Sequence, residues 1–581
     1  MKICCKIFQT VLVSLIVILI FSMGTYTEAT IFPYIKVAGP GSDFGHTPLF
    51  PHIKVAVLDY RASNTPEELE FMASHYDLLI GGTLEGYGDS PGFSYTNYYC
   101  TYVGSPEYND MQAWATSHGV DFEDFFIHFA EPTRACLPDS TTGKTECYDL
   151  SAGSRVPTND WQGTGGDLTS YRARIASNPG NANYRAWKLD WLEKEMGDRY
   201  DGVFVDNTSF SSIPAFPTIE SGGTIAEYPT DAGTSFGNDV LKLFAEFKAR
   251  FGNSKVQVPN VSSLPDDTRV YPYVWGIFRE HLLRPSQTVW FPTIDKNIAD
   301  STAAGVANVL HSGANDERSA MATLALFYLV KNETTYLAPY NNWGKPELTT
   351  WTIDPRLNQW WEAIAYNVGQ PKGDRYTFAR GIDPASPLKD SMTATVTKIG
   401  WSYRLTDPSK NWPENQWQNL KIRFPSGFLT NVYKSGSNWV ELFSPGEVPT
   451  DGTYQLGTYA YEVLAREFDN ALVLFRPLGA SGDASDASAV EVALPATADN
   501  LSGTYYLLDW DENLDPTPRT TLSMRNTDGA VLIKTDVLND TEPPTTPANL
   551  SATAVSSTQI DLFWDASADN IRVLGYKIYR D

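Results

Sequence analysis

Asp206, at the end of the stretch RYDGVFVDNTSF, and Glu280, at the end of VWGIFRE, are two carboxylates that each follow directly on a short apolar run. An acid placed there is costly unless the molecule uses it, because a desolvated charge loses its hydration. Glycosidic cleavage would use two. It needs one carboxylate to attack or stabilise the anomeric carbon, and a second, kept protonated, to hand a proton to the leaving oxygen. On that chemistry Asp206 is the expected nucleophile and Glu280 the expected general acid/base. Further polar residues end other apolar runs: Asp59, Glu131, Asn207, Asn260, His281, His311 and Asn341. These are expected to bind sugar hydroxyls, with Asp59 and Glu131 also able to tune the two acids. Taken singly, Asp206-Asn207-Thr208-Ser209 is equally good turn chemistry, and Glu280 could pair with Arg279 or Arg284. Their shared position at strand ends favours catalysis.

Rival chemistries lack their signatures. The seven histidines include no His-x-His and no His-Glu-x-x-His, so no metal is expected, although His281 and His311 beside Asp206 leave a metal-dependent deacetylase or phosphodiesterase as an open alternative. No Gly-x-Ser-x-Gly follows a strand, no Gly-x-Gly-x-x-Gly follows the first one, and no phosphate loop occurs. No cofactor is expected. A formal charge of −25 argues against nucleic acid and anionic membrane as partners. The 31 Tyr and 16 Trp suit stacking on sugar rings, though core packing accounts for most of them in a chain of 581 residues.

Eight buried-strand patterns must position these residues: 53–60, 77–83, 124–131, 202–207, 256–261, 274–280, 306–311 and 335–340. Helical patterns lie between most of them, the clearest carrying Val240, Phe244, Phe247 and Phe251 on one stripe with Gly252 in the stop position. The helix between the fifth and sixth strands is missing or replaced by SSLPDDTRVYPY. Eight alternating units over some 300 residues predict an α/β fold, a (β/α)8 TIM barrel over 30–370, with chemistry at the C-terminal ends of its strands. Apart from its one strand, the Gly-, Ser- and Asn-rich segment from Cys100 to Tyr184 reads as extended loops over the barrel mouth.

Beyond Gly369 the period changes to short alternating runs such as TATVTKIGW, NLKIRF and ALVLFRPL, predicting an antiparallel β-sandwich domain over 371–540. The Pro-rich entry at 541, IDLFW with Trp564, and GYKIYR resemble the first half of a fibronectin type III domain, so 541–581 is expected to be an incomplete one and the chain a piece of a longer protein. At the other end, Lys2 and Lys6, an apolar segment and Thr27-Glu28-Ala29 predict a signal peptide over 1–29, with an uncleaved anchor as the alternative. The mature protein is then expected to be secreted or cell-surface, with no membrane contact after cleavage. In that compartment Cys136 and Cys147, closing the loop CLPDSTTGKTEC, are the expected disulfide.

YDGVFVDN at the fourth strand, VPN at the fifth and VWGIFRE at the sixth resemble secreted barrels grouped as hypothetical glycosyl hydrolase family 15. EFDNALVLFRPLG and the GTYYLLDW region look like the β domain that closes such enzymes. The nucleophile-on-four, acid-on-six arrangement is similar to that of the α-galactosidase and α-glucosidase clan. This resemblance implies a glycoside hydrolase acting on an extracellular polysaccharide or oligosaccharide. It also implies a short, retaining separation between Asp206 and Glu280. Glu in place of Asp on the sixth strand departs from that clan. A non-catalytic carbohydrate-binding or adhesion protein on a barrel scaffold is the alternative. Sugar and linkage are not readable from the loops.

Overall fold

The computed structural model describes residues 49–567 apart from a set of internal stretches, the longest being 159–173, 342–360 and 479–488. The expected signal peptide lies outside the described residues.

Eight parallel strands form the centre: β1 Lys54–Asp59, β2 Leu78–Gly81, β3 Gly92–Thr96, β4 Gly202–Val205, β5 Val256–Pro259, β6 Gly276–Arg279, β7 Ala307–Ala314 and β8 Thr335–Asn341. Their order runs β5-β4-β3-β2-β1-β8-β7-β6. A parallel bridge from Asn260 to Phe278 then brings β5 onto β6, with Val261 N–H donating to Phe278 O at 2.9 Å, so the sheet closes on itself. Closure removes both sheet edges.

Strand periodicity sorts the side chains into two cores. Phe93, Phe204, Val258, Phe278, Val309 and Tyr336 point inward and fill the barrel. Their strand neighbours Val203, Val205 and Ile277 point outward into a cluster with the surrounding helices. The helices are α1 Pro66–His75, α2 Pro106–His118, α3 Ala182–Met196, α4 Ala232–Phe251, α5 Phe291–Ala303 and α6 Glu317–Val330. The expected stripe on α4 is observed: Val240, Phe244 and Phe247 are buried, and Gly252 follows with φ +60°. Between β5 and β6 the described residues hold a 3-10 turn, Thr268–Tyr273, and no α-helix.

One strand differs from expectation. The apolar run 124–131 is not a barrel strand. It begins in a 3-10 turn, Phe122–Phe125, and continues through isolated bridges, while Phe125, Phe126, Ile127 and Phe129 pack among α2, α3 and α4. Burial among helices made the run apolar. The third barrel strand is instead GFSYT, Gly92–Thr96, which lies between β2 and β4.

Helix α6 is buried all round, with Ala320 through Val330 removed from water. Such a helix must be covered on two sides. Its second cover is a five-stranded antiparallel sheet built from Tyr376–Ile382, Ala460–Glu467, Ala471–Phe475, Gly529–Lys534 and Tyr505–Leu507. Val473, Phe475, Val531 and Ile533 share a core with α6. From the other face Leu472, Leu474 and Leu532 pack on the pair Val490–Ala493 and Thr521–Met524. The sheet is therefore apolar on both faces, which is why ALVLF reads as a continuous run.

The β region holds more than the single expected sandwich. Between Tyr376–Ile382 and Ala460–Glu467, which pair with each other, a seven-stranded sheet is inserted with its own core around Trp417, Tyr454 and Leu405. Beyond it Ala548–Ala554 and Ile560–Asp565 form a two-stranded pair, and the GYKIYR segment lies outside the described residues.

Candidate active site

The inward periodicity of the barrel strands continues one step past the apolar core. Two residues beyond Phe93 comes Tyr95, beyond Phe204 Asp206, beyond Val258 Asn260, beyond Phe278 Glu280 and beyond Val309 His311. A polar layer thus sits directly on the aromatic floor made by Phe204 and Phe278, whose rings meet edge to face at 5.0 Å. Backbone bonds keep the rim closed around it. Asp206 N–H donates to Thr96 O at 2.9 Å, Asn260 N–H to Val205 O at 2.8 Å, and Thr208 N–H to Asn260 O at 2.8 Å.

Asp206 is buried and carries three donors. Tyr95 Oη donates to its Oδ2 at 2.6 Å and Asn207 Nδ2 to the same oxygen at 2.7 Å. Asn260 Nδ2 donates to its Oδ1 at 2.8 Å and also to Glu280 Oε2 at 2.9 Å. One amide therefore bridges both carboxyls, and Asp206 Oδ1 and Glu280 Oε2 lie no farther apart than the sum of those two lengths, about 5.7 Å. An amide turned the other way would present a carbonyl to two acids, so the nitrogen belongs there. Asn260 is 2% exposed, and its Oδ1 has no hydrogen-bond partner among the described residues.

Local geometry explains how Asn207 reaches back to its neighbour. Its φ is +52°, in the left-handed region, which Asn tolerates better than most residues. Thr208 Oγ1 fastens the turn on Val205 O at 2.8 Å. The Tyr95 hydroxyl stays protonated, since burial and then the adjacent Asp206 both push its ionisation upward.

The structure brings Asp206, Asn207, Asn260 and Glu280 together as expected. His311 joins the same inner layer, buried, its ring 5.3 Å from Phe278 and 5.9 Å from Tyr340. Glu131 does not join. It is exposed and accepts from Thr224 Oγ1 at 3.0 Å, a consequence of the run 124–131 lying outside the barrel. Asp59 ends β1 opposite Gly81 and Asn341 ends β8 opposite Ala314, but their side chains, and His281 altogether, lie outside the described residues. Cys136 pairs directly across from Cys147 in an antiparallel ladder, with their side chains likewise outside the described part. No cluster of three or more His, Cys, Asp or Glu suited to a metal occurs among the described residues. Tyr95 is the functional candidate that sequence reasoning missed. Its signal was the alternation in GFSYT, Phe inward and Tyr two residues on.

The chain is thus a (β/α)8 barrel with antiparallel β structure behind it and a pair of bridged carboxylates at its strand ends. Residues 159–381, from the segment before α3 through β8 to the first antiparallel strand, match the model of Hypothetical glycosyl hydrolase family 15. Local sequence matches join the chain to an alpha-amylase of Niallia circulans, 48% identical over 64 residues, and to Chitinase Chi52 of Paenibacillus xylanexedens, 45% identical over 42 residues. These cover 10% and 7% of this chain and only 5% and 8% of the relatives' lengths. Among solved structures, the glycoside hydrolase domain of PelA from Pseudomonas aeruginosa aligns at 13% identity and TM-score 0.29, over 52% of this chain and 98% of that one. Trehalose-6-phosphate hydrolase of Bacillus licheniformis aligns at 10% identity and TM-score 0.36, over 84% and 100%.

Proposed function

We propose that the protein is a secreted glycoside hydrolase that cleaves an extracellular polysaccharide or oligosaccharide with retention of configuration, Asp206 acting as nucleophile and Glu280 as general acid/base. The observation that carries the reading is the Asn260 bridge. It holds Asp206 Oδ1 and Glu280 Oε2 within about 5.7 Å of each other. Retaining enzymes keep their carboxyls about 5 to 5.5 Å apart, whereas inverting enzymes need roughly 6.5 to 9.5 Å to fit a water. The bridge therefore supports the retaining class.

In the first step Asp206 attacks the anomeric carbon as the glycosidic bond breaks, and Glu280 gives its proton to the leaving oxygen. In the second, Glu280 takes a proton from water, the water oxygen bonds to the anomeric carbon, and the Asp206 ester bond breaks, returning its electron pair to the carboxylate. Asn260 Oδ1, buried and without a protein donor among the described residues, is suited to accept from a sugar hydroxyl. His311 and Asn207 are the further substrate-contacting candidates, with Asp59, His281 and Asn341 proposed on strand position alone. Secretion is supported by the basic, apolar and small-residue pattern of residues 1–29. No helix among the described residues is long and apolar enough to cross a membrane. We further propose a Cys136–Cys147 disulfide, which the cross-strand register permits.

The test is hydrolysis of a panel of aryl glycosides and polysaccharides by the wild type and by Asp206→Asn. The substitution keeps shape and removes charge, so turnover should be lost while fold and polysaccharide binding persist. Near-normal turnover by Asp206→Asn would exclude it as nucleophile. Binding without turnover by the wild type would instead mark a carbohydrate-binding scaffold.

A further inference from the structure

We infer that Tyr95 is a positioning residue that presents Asp206 with Oδ1 as its attacking oxygen, and that Tyr95 is itself held through Asn97 by the buried guanidinium of Arg174. The inference rests on Asp206 being the nucleophile.

The two oxygens of Asp206 are not equivalent. Oδ2 is taken by two donors, Tyr95 Oη at 2.6 Å and Asn207 Nδ2 at 2.7 Å. Oδ1 has one, the amide of Asn260, which is also the group that reaches Glu280. The less encumbered oxygen is therefore the one on the acid's side of the site. Behind Tyr95 the chain of bonds continues into the protein. Asn97 Nδ2 donates to the phenol oxygen at 3.2 Å, occupying it as acceptor and aiming its proton at Asp206. Arg174 Nη2 donates to Asn97 Oδ1 at 3.4 Å, and Arg174 Nε to Cys100 Sγ at 3.0 Å. Asn97 is 6% exposed and Arg174 2%. A fixed positive charge thus stands three hydrogen bonds behind the carboxylate, in a region of low dielectric where such chains polarise one another.

The consequence falls on both chemical steps. When Oδ1 bonds to the anomeric carbon, the charge on Asp206 disappears and the Tyr95 bond weakens. When water displaces Oδ1, the electron pair returns to the carboxylate and the bond regains full strength. Tyr95 therefore makes Asp206 a better leaving group in the second step, while holding it aligned for the first. Among the described residues, the other titratable groups around Asp206 are Glu280 across the Asn260 bridge from β6, His311 from β7 beyond Phe278, and Tyr99 on the segment after β3.

The test is Tyr95→Phe on the full chain, assayed with whichever aryl glycoside the wild type hydrolyses fastest. Losing a donor to a charged acceptor should lower kcat about ten- to a hundredfold. The loss should fall on the second step, so glycosyl-enzyme should accumulate and a burst of released aryl alcohol should appear or grow in pre-steady-state traces. Asn97→Ser should lower kcat in the same way by less, and carries the test should Tyr95→Phe misfold. Unchanged kcat and an unchanged burst in a folded variant, with Asp206→Asn inactive, overturns this inference alone. Turnover by Asp206→Asn, or no hydrolysis by the wild type, overturns the reading beneath it.

Discussion

At the scale of single residues, the site is a set of strand-end side chains whose roles follow from what each can donate. Glu280 accepts from the Asn260 amide through one oxygen and is half-buried, which leaves it near both Asp206 and solvent. On the proposed assignment, replacing it with Gln removes the proton donor. Rates on aryl glycosides with good leaving groups should fall far less than those with poor ones, since only the latter need protonation. A uniform loss across a leaving-group series would contradict the assignment. The placement of Asp206 and Glu280 on one rim was legible in sequence because each follows an apolar run on a barrel strand, and that of Asn260 was legible as VPN. Tyr95 was not, because GFSYT carries little of the Val and Ile content that marks a buried strand. Glu131 misled for the converse reason. The run FFIHFA is apolar enough for a strand, but its apolar content serves packing among helices.

At the scale of elements, the barrel was legible through the alternation of periods, and seven of the eight expected strands stand where they were read. The β region was less so, since short alternating runs say nothing about which sheet each joins. The docking of α6 shows how one element ties the two together. At its C-terminal cap Lys331 is buried, its Nζ donates to His52 O at 2.7 Å, and Arg466 Nη1 donates to Lys331 O at 2.7 Å. Burial, reinforced by Arg466 and Lys54, pulls the Lys331 ammonium down to about 8 from an ordinary 10.5. Between those values the unfolded chain binds the proton and the folded chain releases it, so this group's contribution makes folding more favourable as pH rises through that window; below about 8 its full cost is felt. Urea midpoints at pH 8 and pH 10 should therefore show wild type gaining on Lys331→Met as pH rises. Equal pH dependence in the two proteins would refute a depressed Lys331.

At the scale of the whole molecule, the five-stranded sheet is structural support for the barrel as much as a neighbour of it. A Cβ on Gly529 would lie 2.5 Å from Ala322 Cα and 2.7 Å from Ala325 Cβ on α6. Gly529→Val should cost about 1–3 kcal/mol through overpacking at this seam and lower the thermal midpoint without touching the site. A midpoint equal to wild type would mean that the seam is looser than described. The closed barrel and the Asn260 bridge underlie the central proposal, that Asp206 and Glu280 act as a retaining pair with no water between them. Proton NMR of the first product released from an aryl glycoside tests that claim most directly. The account predicts that the first-formed sugar keeps the anomeric configuration of the substrate and mutarotates afterwards. An initially inverted anomer would contradict it, because it would require a water between Asp206 and the sugar.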